Sequence, residues 1–260
     1  TSVQFLSMNN CVPKIKYLCM PIVLLERKMR KNIPAFGGFL KRISNFPFNP
    51  VKWPFFYGWM ILLWGTIGVV LSVPGQTVGV SVFTDPLIEA FSIERIWLTV
   101  AYGIGTMLSA FLITFAGRFY DRYGARISGS VTALCFGFVL FGLGHAPEIV
   151  TYIVDVTGLN SKLVSIVNLT IGFFLLRFFG QGVLTMVSRN MVMKWFDKSR
   201  GFANAIHSIV VAFAFSYAPK VFSDMIDANS WNQTWQTMGF VVGGIFVVLI
   251  WIFFRDNPEN

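Results

Sequence analysis

Polar side chains recur along one long apolar segment in the second half of the chain. They lie seven, four, four and three residues apart, at Thr170, Arg177, Gln181, Thr185 and Ser188. Such spacings place side chains on one face of a helix. A guanidinium stays protonated, and burying one in a bilayer costs at least about 2.5–3.5 kcal/mol unless it is paired or hydrated. Arg177 is therefore a candidate functional cation. The alternative is a structural role, as a donor to backbone carbonyls of a neighbouring helix.

A second and milder polar stripe follows in the next apolar segment. Its members repeat every four residues, at Asn204, Ser208, Ala212 and Ser216, and His207 borders them. A lone histidine is usually a hydrogen-bonded core residue, and the alternative hypothesis is that His207 takes up and releases a proton.

The first long apolar segment is interrupted at Pro74-Gly75, and Gln76 and Thr77 follow directly. Proline removes an intrahelical hydrogen bond, and glycine tolerates the resulting bend. The interruption is either a packing adjustment or a discontinuity that faces a substrate, because broken helices at membrane depth line protein or a cavity.

The composition determines which elements must carry these residues. Of 260 residues, 55% are hydrophobic and only 13% are charged, which is more apolar surface than a soluble domain hides. The apolar runs are continuous rather than alternating, which favours helices. We predict an all-α integral membrane protein with a six-helix transmembrane bundle at residues 55–256. The spans are expected at about 55–83, 96–116, 127–145, 163–187, 201–222 and 235–254.

The distribution of Lys and Arg predicts the topology. Seventeen of them lie on the side of the two termini and three on the opposite side, so both termini are expected in the cytoplasm of a multi-pass cell-membrane protein. The net charge of +9 then reflects topology, and nucleic-acid binding is not expected. Residues 1–54 are predicted to be a basic cytoplasmic tail, either poorly ordered or lying on anionic lipid. Residues 257–260 would begin a cytoplasmic linker.

Two motifs resemble the major facilitator superfamily. The sequence from Gly117 to Arg126 is similar to its signature loop between the second and third helices, although Phe119 and Ala125 depart from the usual residues. The sequence from Arg177 to Gly182 resembles its fourth-helix motif. Three further stretches look like the branch of monocarboxylate and oxalate–formate carriers: Pro74–Thr77, Trp195–Ala203 and Arg255–Pro258. The fifth helix has Ala218-Pro219 in place of a glycine-rich pattern, which argues against a drug antiporter.

The resemblance implies a secondary active transporter of a small organic anion, such as a monocarboxylate, that works by alternating access. The coupling ion would be a proton, in symport. The residues expected to bind substrate or couple are Arg177, Gln181, Gln76, Thr77, Asn204, Ser208 and His207. The cytoplasmic gate motif would comprise Gly117, Arg118, Asp121, Arg122, Gly124, Arg126 and Arg200. In it, Asp121 would pair with Arg200 or with a helix N-terminus in the other half of the carrier.

Superfamily members usually have two six-helix halves, and this chain resembles the N-terminal one. A C-terminal half or a second copy would then complete the cavity. The alternatives are a non-transporting membrane receptor or regulator and an inactive half-carrier. An enzyme is not expected, because the spans hold no paired carboxylates, and His207 and Ser208 are neighbours that point in different directions. The cysteines Cys11, Cys19 and Cys135 lack metal-ligand spacing, so neither a metal nor a cofactor is predicted.

Overall fold

The computed structural model describes residues 54 and 56–256. The tail predicted for residues 1–54, apart from Pro54, and the linker predicted at 257–260 lie outside this part of the chain. Every regular element within it is helical. The α-helices are α1 (Gly58–Val70), α2 (Thr77–Val82), α3 (Thr84–Phe91), α4 (Arg95–Gly144), α5 (Ala146–Thr157), α6 (Ser161–Leu176), α7 (Thr185–Trp195), α8 (Arg200–Ala228), α9 (Trp231–Phe240) and α10 (Val247–Phe253).

Irregular helical segments connect several of these elements. Segments with π geometry, Arg177–Leu184 and Val241–Phe246, join α6 to α7 and α9 to α10. Short 3₁₀ turns lie at Val73–Gly75 and Asp197–Ser199. The helices therefore combine into longer rods.

Five of these rods within the described residues are long and apolar enough to cross a bilayer: Gly58–Gly75, Arg95–Gly144, Ser161–Trp195, Arg200–Ala228 and Trp231–Phe253. The prediction of an all-α membrane protein is confirmed. At 1.5 Å per residue, α4 would be about 75 Å long if it were straight, more than twice the hydrocarbon thickness. It contains a non-helical residue, Gly124, with φ 80° and ψ 176°.

The first part of α4 runs in the same direction as the Ser161–Trp195 rod. Gly105 packs against the backbone of Phe174, and Ile113, further along α4, packs against Gly182. The residue numbers of the contacting partners increase together along the two helices, as they do when two helices run parallel.

The part of α4 after Gly124 runs the opposite way. Phe136 packs against Gly180, whereas Leu143, further along, packs against Gly172. The chain therefore reverses at Gly124, and α4 accounts for two crossings, which brings the total in the described residues to six.

The two ends of the described chain meet at one face of the bundle. The hydroxyl of Tyr57 donates to the carbonyl of Phe253 at 2.9 Å, and Phe246 packs against Gly68. The first and last spans are therefore antiparallel neighbours. We call this face the terminal face.

Several predicted boundaries differ from the structure. The segment 117–123 was expected to be a loop but is helical, because its arginine, aspartate and tyrosine residues all fit a helix and only Gly124 adopts a positive φ. The expected loop at 146–162 contains α5, which packs two buried residues, Ala146 and Val150, against the bundle. Helix α8 continues through Pro219 to Ala228, beyond the predicted end at 222.

The interior of the bundle is built from aromatic residues and close glycine contacts. Trp235, Phe136 and Phe246 are fully buried, and Gly137 packs directly on Gly243. Large apolar side chains such as Phe111, Phe138 and Phe213 point outward. Small residues at helix contacts and apolar residues outside are the expected pattern for a protein whose surface faces lipid.

Candidate substrate site

The break in the first span is held by side-chain hydrogen bonds. Gln76 has extended backbone angles (φ −87°, ψ 158°) between the 3₁₀ turn and α2. Its Nε2 donates to the hydroxyl of Ser72 at 3.1 Å and to the hydroxyl of Thr185, in α7, at 3.4 Å. The two hydroxyl oxygens are 3.1 Å apart. Gln76 thus braces the break, whereas we expected it to neighbour Arg177 at the substrate.

The predicted polar stripe runs through the π segment Arg177–Leu184. A π-helix places each amide five residues after its acceptor instead of four, and the hydroxyl of Thr185 follows this spacing by donating to the carbonyl of Gly180 at 3.3 Å. Arg177 is buried, whereas Gln181 is exposed. The single polar face expected from four-residue spacing is therefore divided.

The break and the π segment meet at two glycines. A Cβ atom added to Gly75 would lie 2.7 Å from the carbonyl oxygen of Leu176 and 2.9 Å from the Cα of Gly180. The ring of Phe136 also packs against Gly180 at this contact. The two irregular backbones thus touch each other inside the protein, where such segments are tolerated at membrane depth.

Arg177 joins three spans through two neighbours. Its side chain is 8% exposed, and Nη1 donates to Oγ1 of Thr77 at 3.2 Å. Its guanidinium carbon lies 5.1 Å from the ring centre of Tyr102, and the Tyr102 hydroxyl donates to the same Thr77 oxygen at 3.1 Å. Of the predicted residues, Thr77 and Arg177 are brought together, and Tyr102 is added.

No acidic side chain among the described residues pairs with Arg177. The ion pairs in this part of the chain lie elsewhere, for example between Arg95 and Asp85 and between Lys162 and Glu94. Arg177 is near the middle of the Ser161–Trp195 rod. The site therefore contains a permanent cation held by a hydroxyl and an aromatic ring.

A cavity of about 160 Å³ adjoins this cluster, on the side away from the terminal face. Hydroxyl groups from three elements line it, at Thr77, Ser81, Thr84, Thr99 and Tyr102, together with Val80, Leu87, Leu98 and Phe173. It is smaller than the roughly 300–1,000 Å³ of sites for drug-sized ligands. We call it the hydroxyl cavity.

A larger cavity, of about 370 Å³, lies between the first, fifth and sixth spans. Its lining includes Val73, Pro74, Ala218, Phe222 and Val242, and none of the described residues that line it is charged. It touches the break from the side of α8 and does not include Arg177. An apolar wall of this kind does not suit an anion.

The residues predicted on α8 do not join Arg177 through hydrogen bonds. Asn204 and Ser208 are exposed. His207 is fully buried, with Nδ1 2.9 Å from the hydroxyl of Thr66, and that hydroxyl itself donates to the carbonyl of Leu62 at 2.7 Å. His207 therefore donates from Nδ1, and its Nε2 is a buried acceptor without a hydrogen-bond partner in the described residues.

The predicted gate motif lies at the terminal face, around Gly124. The amide of Ala125 donates to the carboxylate of Asp256. Burial raises the pKa of Asp256, and the Ala125 amide, Lys194 and Arg255 partly counter that rise. Arg126 is buried, with Nε 3.2 Å from the carbonyl oxygen of Phe254. The reversal between the second and third spans is thus attached to the end of the sixth.

The other gate residues are more loosely placed. Arg118, Asp121 and Arg122 are exposed, and a Cβ on Gly117 would meet open space. Arg200 pairs with Asp197, so the expected pair between Asp121 and Arg200 is not formed. Asp197 lies one turn before Arg200 and reaches it locally.

Residues 97–260, which include the gate motif and Arg177, match the family model described as Major Facilitator Superfamily. The chain belongs to the major facilitator superfamily. It is a multi-pass membrane transporter of the major facilitator type. A comparison with curated proteins and one with solved structures gave no match.

The sequence analysis did not predict that Tyr102 and Ser72 contribute to this site. Each is a single hydroxyl within an apolar run, and isolated hydroxyls are common in membrane helices. The only available signal was their polarity at membrane depth. Their partners, Thr77 and Thr185, are distant in sequence, so the contacts depend on the tertiary fold.

Proposed function

We propose that this transporter moves a small organic anion, of the size of a monocarboxylate, by alternating access, with Arg177 as its binding cation. The observation that carries the proposal is a buried guanidinium in the middle of the fourth span that has no acidic partner in the described residues. Charges attract far more strongly in a low-dielectric interior than in water. An anion at this position would relieve the cost of burying the cation.

The chemistry of the site favours a carboxylate. A guanidinium presents a planar fork of donors that matches the two oxygens of a carboxylate, and the hydrogen bond to Thr77 uses one donor of that fork. The hydroxyl cavity supplies further hydrogen-bonding groups beside it. Its small volume argues against a bulky substrate, in keeping with the resemblance to the monocarboxylate and oxalate–formate branch.

Alternating access requires a second wall. In this mechanism a C-terminal six-helix half, or a second copy, faces the first and fourth spans and rocks against them. The gate motif would close the terminal face, which we assign to the cytoplasm from the excess of Lys and Arg on that side. Exposed polar residues of α8, such as Asn204 and Ser208, would then face the cavity or the second wall, as would Gln181.

The coupling ion in this proposal is a proton. A guanidinium stays protonated, so a group other than Arg177 must carry the proton. His207 has a buried Nε2 that accepts no hydrogen bond from the described residues, and imidazole is the side chain that titrates nearest to neutrality. Symport of a proton with a carboxylate would move no net charge.

The test is transport by the full-length protein in proteoliposomes. We expect uptake of at least one labelled carboxylate from a panel of formate, acetate, lactate and oxalate. Arg177→Ala should reduce uptake by about 10-fold to 100-fold, because a hydrogen bond to a charged group is lost, and Arg177→Lys should retain part of it. The control is Lys220→Ala, an exposed basic residue on α8, which should transport normally.

Three results would contradict the proposal. Uptake that survives Arg177→Ala would remove this residue from the mechanism. Wild-type protein that takes up none of the carboxylates would reject the substrate class. Binding of a carboxylate without flux would indicate a receptor or regulator instead of a carrier.

A further inference from the structure

We infer that Tyr102 is a positioning residue, which holds the guanidinium of Arg177 inside the bundle without neutralising its charge. The inference rests on the proposed function, since it concerns how the cation stays available to an anion. Tyr102 contacts Arg177 directly, but its effect on the substrate acts through that cation.

The ring of Tyr102 is fixed from several directions. It meets Phe173 of α6 edge to face, with centres 5.5 Å apart and planes at 82°. The guanidinium carbon of Arg177 lies 5.1 Å from its centre. Its hydroxyl is bound to Thr77 of α2 at 3.1 Å. Residues of the first and fourth spans thus hold the phenol of the second span, and the phenol in turn positions the guanidinium.

The chemistry of a phenol explains why it differs from an acidic partner. The face of an aromatic ring attracts a cation through its quadrupole and carries no net charge. A carboxylate would attract Arg177 more strongly, but the pair would be neutral and would compete with an incoming anion. With Tyr102 and Thr77 as partners, the site keeps a net charge of +1 among the described residues.

Tyr102 also separates Arg177 from the hydroxyl cavity. Tyr102 and Thr77 line that cavity, whereas Arg177 does not. A solute in the cavity would therefore meet the phenol hydroxyl and the threonine hydroxyl before it reached the guanidinium. The same two residues that hold the cation form the wall between it and the cavity.

The inference is tested with three substitutions in the purified full-length protein. The measurement is the dissociation constant, from the shift of thermal unfolding on titration with sodium formate, acetate, lactate and oxalate. Tyr102→Phe keeps the ring and loses one neutral hydrogen bond, so we expect about threefold weaker binding. Tyr102→Leu loses the ring as well, and binding should weaken by about tenfold.

The decisive substitution is Tyr102→Glu. It places a carboxylate beside Arg177, so the variant should fold with at least wild-type thermal stability and yet bind none of the anions. If Tyr102 had a purely structural role, a substitution would weaken anion binding only where it also lowered thermal stability. Tyr152→Leu, which changes an exposed tyrosine of α5, is the control and should bind as the wild type does.

A double-mutant cycle separates positioning from general packing. Where Arg177→Gln alone reduces but does not abolish binding, adding Tyr102→Leu should weaken it no further, because the two residues act as one unit. If the wild type binds an anion through Arg177 but Tyr102→Leu or Tyr102→Glu leaves the constant unchanged, the inference about Tyr102 is overturned and the proposed function stands. If the wild type binds none of the anions, both are withdrawn.

Discussion

Individual residues show two ways in which this transporter buries an arginine. Arg126, at the terminal face, has Nε directed at the carbonyl of Phe254 and its guanidinium carbon 5.8 Å from the ring centre of Trp251. Arg177, in the middle of a span, has a hydroxyl and a phenol ring. A backbone carbonyl is fixed by the fold, so the first arrangement suits a structural cation. In the second arrangement, Arg177 and its two partners, Thr77 and Tyr102, belong to three different spans.

A single glycine should be required at the reversal of α4. Gly124 has φ 80° and ψ 176°, a region that is essentially restricted to glycine, and other residues there cost about 1–3 kcal/mol. An added Cβ would also lie 2.3 Å from Oδ2 of Asp256. We expect Gly124→Ala to lower the free energy of unfolding by that amount, and hence the midpoint of thermal unfolding in detergent by several degrees.

The matched control for this prediction is Gly117→Ala, in the same motif. A Cβ at Gly117 meets no atom of the described residues within 4 Å, and alanine is the better helix former by up to about 1 kcal/mol. This variant should unfold at the wild-type temperature or slightly above it. Equal losses in the two variants would contradict our account of Gly124.

At the level of elements, the irregular segments of the first and fourth spans depend on each other. The break at Val73–Gly75 and the π segment Arg177–Leu184 leave backbone groups outside the usual α-helical pattern. They contact each other at Gly75 and Gly180, and the hydroxyls of Ser72 and Thr185 link them. Because Thr77 follows the break and Arg177 begins the π segment, this contact sets the distance between them.

Enlarging Gly75 should separate these two elements. The Cβ of Gly75→Ala would overlap the backbone at Leu176 and Gly180, and overpacking of this kind typically costs about 1–3 kcal/mol. We expect a lower midpoint of thermal unfolding and weaker carboxylate binding, since Thr77 would move away from Arg177. Gly103→Ala, where a Cβ meets nothing within 4 Å in the part of the chain that the structure describes, is the control. Unchanged binding in a destabilised Gly75→Ala would show that the contact does not position the site.

At the scale of the whole bundle, the six crossings found in the described residues place the gate motif and the hydroxyl cavity at opposite faces. The gate motif lies at the terminal face with Tyr57 and Phe253, and the cavity is lined by the residues that follow the break and those that begin α4. This arrangement follows from the reversal at Gly124, which turns one 50-residue helix into two antiparallel spans.

The proposed orientation predicts the side from which each face can be labelled. In a cysteine-free background of the full-length protein, Ser81→Cys should react with a membrane-impermeant thiol reagent added outside intact cells. Arg118→Cys should react only after the membrane is made permeable. Both side chains are exposed in the structure. The reverse pattern would invert our orientation, and reaction of both from outside would contradict six crossings.

Continuous apolar runs predicted the membrane-spanning helices, because an apolar run of about 20 residues has the length of a helix that crosses a bilayer. Sequence-based prediction also identified Arg177 and the break at Pro74. It failed where local geometry decides the outcome. Four-residue spacing predicted one polar face, but Arg177 is buried and Gln181 is exposed. Charge density suggested a loop at 117–126, although only Gly124 interrupts the helix. Tyr102 became visible only when the fold placed it beside Thr77 and Arg177.

The partners of Arg177 also determine how an electric field would act on the carrier. A phenol and a hydroxyl leave the empty site with one positive charge. A bound monovalent anion would cancel that charge, and the proton proposed to travel with it on His207 would restore it, so the loaded and the empty transporter would carry the same charge. The membrane potential is worth about 2.3 kcal/mol per elementary charge per 100 mV. Under the proposed mechanism, voltage would therefore act equally on the loaded and the unloaded steps and would not drive net uptake.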